Sequence, residues 1–460
     1  MRSEVKPYEA YKTVNAVWID KIPLHWSCEK LGMYFEERRI KVSDKDYEPL
    51  SVTKNGVVPQ LATAAKSNDG DNRKLVVAGD FVVNSRSDRK GSSGLSKLDG
   101  SVSLINIVLQ PRNILPQYSH YLFKSNGFTE EFYRNGRGIV ADLWTTRYCD
   151  MRNIFIPIPT PKEQEQIVKY LECNLNKINK LIRAKNNQIV LLKEQKQQII
   201  NEAVTRGVND TVEMVPSQME CLGDIPRGWK ILKFRHIFKY TSGLSITKSE
   251  RVEAGVSCIN YGEIHSKFPF ILDSKNVDFF KIDEIYLNAN SNRIIKDGDF
   301  IFADTSEDLA GCGNFIYIQK VDEPILSGSH TVLARPFENI DVKGEFLAYL
   351  LKSDKTRHQI KNLVNGVKVY SISQKILKSI VVAIPSLEEQ QDIVDYIGEK
   401  ISKIDNAIKK IEDEINLISE YKLSLISEVV TGKVNVSSSL VSYIGDKEEE
   451  VLREEVEEDE

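Results

Sequence analysis

The chain contains part of itself twice. Residues 158–208 align with residues 384–434 at a constant offset of 226, without a gap, and 19 of the 51 positions are identical. The identities include Ile158/Ile384, Pro159/Pro385, Glu163/Glu389, Gln164/Gln390, Ile167/Ile393, Val168/Val394, Tyr170/Tyr396, Lys177/Lys403, Glu202/Glu428 and Thr205/Thr431. Two shorter echoes accompany it. Ile22-Pro23-Leu24-His25-Trp26 matches Ile225-Pro226-Arg227-Gly228-Trp229 at an offset of 203, and Gly79-Asp80-Phe81 matches Gly298-Asp299-Phe300 at 219. A repeat of this length reports the architecture before any local motif does. The order is variable block, matched block, variable block, matched block, and the changing offsets place the insertions inside the variable blocks.

The matched blocks read as long helices. In the first, Leu171, Leu175, Ile178, Ile182, Ile189, Leu192, Ile199 and Ala203 recur in steps of four and three, with Lys185 and Lys196 in the remaining slots. In the second, Ile397, Ile401, Ile404, Ile408, Ile411, Ile415, Ile418, Leu425 and Val429 do the same around Lys422. This is a heptad seam. Pro161 and Ser386 are start signals, and Gly207 and Gly432 are stop signals. A rod of about 65 Å with one apolar seam needs a partner, and the other copy is the nearest at hand. The variable blocks instead carry short apolar runs, such as Leu75–Ala78, Phe81–Val83, Val102–Leu109, Phe315–Ile318 and Ile380–Ile384, between Gly, Ser, Asn and Asp clusters. These are strand-sized and predict mixed, β-rich domains. The expected fold is therefore α+β: two globular domains separated by two long helices in an antiparallel coiled coil, a pseudo-twofold repeat. The expected boundaries are 1–157, 158–208, 209–383 and 384–434, followed by a tail at 435–460.

Composition excludes several functions. No apolar run approaches the ~18 residues of a membrane span, and the first 30 residues are too charged for a secretory signal. Six scattered cysteines without a C-x-x-C fit a reducing cytoplasm and no zinc ribbon. The formal charge of −4 hides an asymmetry. Residues 446–460 hold ten acids and two bases, which leaves residues 1–445 at +4. A mildly basic body and an acidic tail are expected. There is no Pro-Pro dipeptide, so the Asn/Asp-Pro-Pro-aromatic loop of amino-methyltransferases is absent. The one Gly-Lys is followed by Val, so there is no Walker A loop. Gly136-x-Gly138 and Gly311-x-Gly313 read as turns, and no Pro-Asp opens a nuclease motif. Ser329-His330 is an adjacent Ser/His pair that could suggest a nucleophile.

Polar residues cluster in the variable blocks. Lys66, Arg73, Lys74, Arg86, Arg89, Lys90 and Lys97 surround a Gly/Ser-rich stretch, and Arg134, Arg137, Trp144, Thr145, Thr146, Arg147, Tyr148 and Arg152 form a second group. The second block offers Lys248, Arg251, Thr305, Ser306, Ser329, His330, Lys368 and Tyr370. Arginine and small hydroxyls on loops suit phosphate contacts and base-edge hydrogen bonds. The candidate DNA-binding set is Lys66, Arg86, Arg89, Lys90, Arg137, Thr145, Arg147, Tyr148, Lys248, Thr305, Ser306, Lys368 and Tyr370.

The pattern resembles the specificity subunit of Type I restriction–modification systems. The resemblance is carried by Ile158-Pro159-x-Pro161-x-Glu163-Gln164 with its long helix, and by the repeat Ile384-Pro385-Ser386-Leu387-Glu388-Glu389-Gln390. The Ile-Pro-x-x-Trp and Gly-Asp-Phe echoes add to it, so the resemblance spans the chain up to about residue 436. The first copy departs modestly, with His25 where the second has Gly228. The resemblance implies two target recognition domains on an antiparallel helix pair, in a subunit with no catalytic residues, metal or cofactor of its own. It implies double-stranded DNA and two modification subunits as partners. Those subunits would use S-adenosylmethionine, and restriction subunits in the full complex would use ATP and Mg. Two unlike recognition domains imply an asymmetric bipartite site with a spacing set by the helices. The recognition subunit of a Type II-like restriction system, or a coiled-coil protein scaffold, would share much of this architecture.

Overall fold

The computed structural model describes residues 7–61, 70–139, 144–209, 211–275, 277–364 and 369–436. The fold is mixed α/β: two β-rich domains and two long helices, Pro161–Arg206 of 46 residues and Leu387–Val430 of 44. The chain divides at Asn186/Asn187 and at Ile411/Glu412 into two compact units. Each unit therefore contains one β-rich domain and a segment of both helices.

In the first unit an antiparallel sheet runs Ser93–Leu95, Phe81–Asn84, Asn106–Pro111, Phe35–Glu37. A second sheet joins Gly100–Ser103, Arg73–Val76 and Lys41–Val42. Helices Pro116–Lys124 and Asn126–Arg134 close the core, with Ser125 between them capping the second by accepting from Phe128 N. The sequence reading took Val102–Leu109 as one apolar run. The structure breaks it at Leu104–Ile105, because its two ends belong to different sheets.

The second unit repeats this plan with additions. Its larger sheet runs Phe238–Ser242, Thr331–Pro336, Phe300–Ala303, Phe315–Lys320, Ile271–Asp273, the last strand parallel to its neighbour. A four-stranded sheet ends on Ile325–Ser327. Helices Gly344–Lys352 and Asp354–Leu363 are joined by Ser353, a cap at the place of Ser125.

The repeated motifs turn out to be bonds. The Trp26 indole Nε1 donates to Glu163 Oε1 at 3.1 Å, and Trp229 Nε1 donates to Glu389 Oε1 at 3.1 Å. Gln164 donates to the Pro159 carbonyl at 3.0 Å and accepts from Leu115 N at 2.8 Å. Gln390 donates to Pro385 O at 3.0 Å and accepts from Lys343 N at 2.7 Å. Both glutamines are buried and these partners satisfy them. The aspartate of Gly-Asp-Phe is also buried in each copy and holds an arginine. Asp80 accepts Arg38 Nε at 2.7 Å, and Asp299 accepts Arg335 Nε at 2.7 Å. Arg38 follows the edge strand Phe35–Glu37, whereas Arg335 lies on Thr331–Pro336, so one ion pair is assembled from different strands.

The first copy adds donors. His25 Nε2 lies 2.9 Å from Glu163 Oε1, and Tyr8 Oη donates to the same oxygen at 3.3 Å. Thr160 and Glu163 close a reciprocal capping box at the helix start. Burial pushes the Glu163 carboxyl up, but hydrogen bonds from His25, Trp26 and Thr160 outweigh it and hold the group below the ordinary carboxylate value. Gly207 and Gly432 end the helices at φ +79° and +73°, a left-handed turn that favours glycine. Gly432 packs on Pro23 and Trp26, and Gly207 on Trp229 and Glu389.

Within each unit the two helices are clasped. In the first, Ile167, Leu171 and Leu175 share a core with Leu425, Val429 and Val430, and Ile178 packs on its edge. In the second, Ile200, Ala203 and Val204 share a core with Ile393, Val394 and Ile397, and Ile401 packs on it. Ile189 and Ile404 are buried as well, while Ile182, Ile408, Ile411, Ile415 and Ile418 are half-buried. The seam lysines reach across. Lys422 donates to Asn179 Oδ1 at 2.8 Å, Lys185 pairs with Glu414, and Lys196 pairs with Asp405 at 2.8 Å. Asn179 with Lys422 and Lys185 with Glu414 fix an antiparallel run in the first unit. Adding the repeat offset of 226 to Asn179 and Lys196 gives Asp405 and Lys422, so one cross-helix bond occurs in both copies. The Lys185–Glu414 pair has Ile411 and Gln188 in its place in the other copy.

Candidate nucleic-acid interface

Strand Phe81–Asn84 leaves its sheet at Ser85 and meets a segment from much later in the chain. Thr146 N donates to Ser85 O at 3.0 Å, Arg86 bridges to Thr145, and Ser87 N donates to Trp144 O at 2.9 Å. Arg137 pairs with Thr145 from the other side, through hydrogen bonds of 3.2 and 3.0 Å. Residues 85–87, at the edge of the first basic cluster, thus meet Arg137 and residues 144–146 of the second in a short ladder.

The second unit builds the same ladder. Ile372 N donates to Asp304 O at 2.7 Å, Thr305 pairs with Ser371, and Ser306 with Tyr370. The two sequence offsets meet here. Adding 219 to Arg86 gives Thr305, and adding 226 to Thr145 gives Ser371. Arg86 and Thr305, both candidates, therefore occupy matching positions but carry different chemistry.

In the first unit the guanidiniums stand out from the surface and are aimed by carboxylates. Asp88 holds Arg86 at 2.9 Å and approaches Arg89 at 3.7 Å, and Asp150 holds Arg137 at 3.0 Å and Arg147 at 3.1 Å. Such exposed pairs contribute little stability. They restrict the side chains while leaving further N–H donors turned outward. Lys90 pairs with Glu130 at 2.6 Å. Tyr148 donates to Phe35 O at 2.6 Å, and burial raises its hydroxyl above the ordinary tyrosine value, which makes it a support for the segment. A groove of about 440 Å³ lies beside the ladder, lined by Arg39, Lys41, Lys74, Leu104, Ile105 and Arg147 among others. Arg39 and Lys41 are not among the sequence candidates; they follow Glu37 in the connection from strand Phe35–Glu37 to strand Lys41–Val42 of the second sheet.

Three arginines of the basic clusters are structural. Arg73 is buried and donates to Ser101 Oγ at 2.8 Å and Ser101 O at 3.0 Å, and burial lowers its pKa. Arg134 pairs with Glu131 on its own helix, and Arg152 packs on Gly32. Lys66 and Lys368 lie outside the described residues.

In the second unit Lys248 is exposed on the turn Lys248–Glu250. Thr305 donates to Asp304 Oδ1 at 2.7 Å and lies 3.3 Å from His330 Nδ1. Ser306 is buried and closes a turn onto Asp308 O at 2.7 Å, and Tyr370 is half-buried. His265, absent from the sequence candidates, supports the ladder from behind through Thr305 O at 2.9 Å. The Ser329-His330 pair is not a nucleophile with its base. Ser329 Oγ donates to Ile246 O at 2.5 Å, while His330, at φ +56°, turns toward Thr305 and Asp304. Among the described residues there is no cluster of three or more His, Cys, Asp or Glu able to hold a metal, and no helix long and apolar enough to cross a membrane.

Residues 226–417 match the family described as "Type I restriction modification DNA specificity domain". The chain is 26% identical over 436 residues to the Type I restriction enzyme MjaVIII specificity subunit of Methanocaldococcus jannaschii, covering 91% of this chain and 95% of that one. The family model and the curated relatives both point to the specificity subunits of type I restriction–modification systems. The EcoKI specificity subunit of Escherichia coli K12 is 23% identical over 287 residues, which cover 61% of this chain and 58% of that one. The fold agrees with a solved structure from a study of "complex assembly and conformational transition of the type I R-M system". That structure has a TM-score of 0.62 and 14% identity, and covers 90% of this chain and 99% of its own. The resemblance read from the repeated Pro-x-x-x-Glu-Gln helices is borne out.

Proposed function

We propose that each β-rich domain reads one half of an asymmetric, bipartite double-stranded DNA site, and that the helices set the gap between the half-sites. The helices also dock two modification subunits, which supply S-adenosylmethionine chemistry, and restriction subunits bring ATP and Mg in the full complex. The observation that carries this reading is the repeated ladder. Arg86–Thr145 and Thr305–Ser371 occupy matching positions on matching scaffolds, yet one edge offers guanidiniums and the other hydroxyls and an imidazole. Equivalent placement with unlike chemistry suits two half-sites of unlike sequence.

The test is sequencing of methylated motifs in a host carrying the subunit. Exchanging residues 215–385 for the corresponding block of another family member is expected to replace one half-site and leave the other intact. A change in both half-sites, or in neither, overturns the modular reading. Inserting four residues after Lys185 lengthens one helix by ~6 Å. At ~3.4 Å per base pair this should widen the gap by one or two pairs, with the half-sites unchanged. An active variant with an unaltered gap would leave the helices as docking surfaces alone.

A further inference from the structure

Turns favour Gly, Asn, Asp and Ser, yet the turn between strands Gly100–Ser103 and Asn106–Pro111 is Leu104–Ile105. These side chains are 39% and 36% exposed. A single exposed aliphatic residue is ordinary, but an adjacent pair on a wall of the 440 Å³ groove is a composite surface, with Arg39, Lys41, Lys74 and Arg147 around it against one carboxylate, Glu37, which pairs with Arg39 and Lys74. The turn is also fixed. Ser85 Oγ donates to Ile105 O at 2.5 Å, and Asn106 Nδ2 donates to Ser103 O at 3.1 Å. Ser85 is the residue whose carbonyl takes the Thr146 N–H, so the aliphatic pair is tied to the Arg86–Thr145 ladder.

The second unit has the same joint. Asp304 N donates to His330 O at 3.0 Å where Ser85 uses its side-chain hydroxyl on Ile105 O, and Ser329-His330 precede the following strand as Leu104-Ile105 do. The carbonyl of the last tip residue is held from the ladder segment in both units, and the tip chemistry changes from apolar to polar. An apolar tip ringed by cations fits a polyanion that carries small apolar knobs. In the major groove of duplex DNA that knob is the C5 methyl of thymine, and the surrounding charges are phosphates. Resting on the recognition reading above, we propose that the Leu104–Ile105 turn enters the major groove and contacts a thymine methyl in the half-site read by the first domain.

The test uses the full chain with its modification subunits and duplexes carrying its methylated motif, with deoxyuridine replacing thymidine in one half-site at a time. Removing the methyl groups from the first domain's half-site should weaken binding on the order of tenfold, the effect of one methyl in an apolar contact. The same exchange in the other half-site should change binding by less than about twofold on that scale. The double variant Leu104→Ser, Ile105→Ser should bind both duplexes alike while keeping the second half-site. A first half-site without thymine, indifference of the unaltered protein to uracil, or full discrimination by the double variant overturns the inference. If the double variant does not assemble, the uracil comparison on the unaltered protein decides alone. Failure of the assembly to bind any defined bipartite site would instead overturn the recognition reading.

Discussion

The two repeats share their scaffold bonds and differ on the edge that those bonds support. Trp26–Glu163 and Trp229–Glu389 have the same length, the glutamines of both copies bridge the same kind of carbonyl and amide, and both helices end on a left-handed glycine. Beside them, Arg86, Leu104 and Ile105 in one copy stand against Thr305, Ser329 and His330 in the other. The lesson is a division of labour. Buried polar atoms must be satisfied by specific partners, so the residues making those bonds are held to type, while an exposed edge imposes no such demand and is open to change. The scaffolds are not identical either, and their small differences predict unequal responses to the same substitution.

The largest inequality is expected at the helix stops. Alanine at Gly432 faces a left-handed backbone and the rigid ring of Pro23, whereas at Gly207 its Cβ meets the movable tip of Glu389 at 2.9 Å. Gly432→Ala should cost about 2–4 kcal/mol and Gly207→Ala about 1–2 kcal/mol, read by urea denaturation of the full chain. Equal costs would show that backbone strain alone matters and that the contact with Pro23 does not.

A smaller inequality follows from the indole bonds. Glu163 also accepts His25 and Tyr8, while Gly228 stands where His25 does and has no side chain to donate. Trp229→Phe should therefore destabilise by about 1–2 kcal/mol and Trp26→Phe by less than about 1 kcal/mol, by the same measurement. The reverse order would mean that the additional donors do not share the load.

The smallest effect at neutral pH, and the one with a distinctive pH signature, concerns His120. Burial, with Lys124 and Lys97 nearby, pushes the His120 imidazole down to about 4, and its Nδ1 accepts from Leu95 N at 3.3 Å. The matching position in the second unit is Ala348. The unfolded chain binds this proton at an ordinary 6.5, more readily than the fold does. Stability from the neutral ring is thus complete above about pH 6.5 and falls away as the pH drops toward 4. His120→Ala should flatten the acid side of the unfolding profile, whereas substituting Ala348 should not. An unchanged acid slope in His120→Ala would assign the lability elsewhere.

Much of this architecture is legible in the one-dimensional pattern. A gapless repeat of 51 residues declares two copies of one unit. Steps of four and three along Ile397, Ile401, Ile404 and Ile408 declare a helix and its buried stripe, because both are local periodicities. The candidate ladder was legible in part. Arg86, Thr145, Thr305 and Tyr370 were found because arginine and hydroxyl residues cluster on loops, and the short ladders of the two units bring them together. Arg73 counts with the basic cluster in the sequence, because nothing in its neighbours along the chain reveals that Ser101 waits to bury its guanidinium. Leu104 and Ile105 were hidden inside an apolar run, since hydrophobicity alone does not say where a strand leaves one sheet for another.

What the sequence determined by itself was therefore everything periodic or repeated: the duplication, the helical seams with their start and stop residues, and the pairs of motifs that had to be doing the same task. Which task each motif performs was decided by tertiary structure. Glu163 and Trp26 are 137 positions apart, and Asp80 takes its arginine from just beyond the edge strand Phe35–Glu37 where Asp299 takes its own from within the strand Thr331–Pro336. Hydrogen bonds and ion pairs act over about 3 Å in space and carry no information about separation along the chain. Partners of that kind become visible only when the fold brings them within reach.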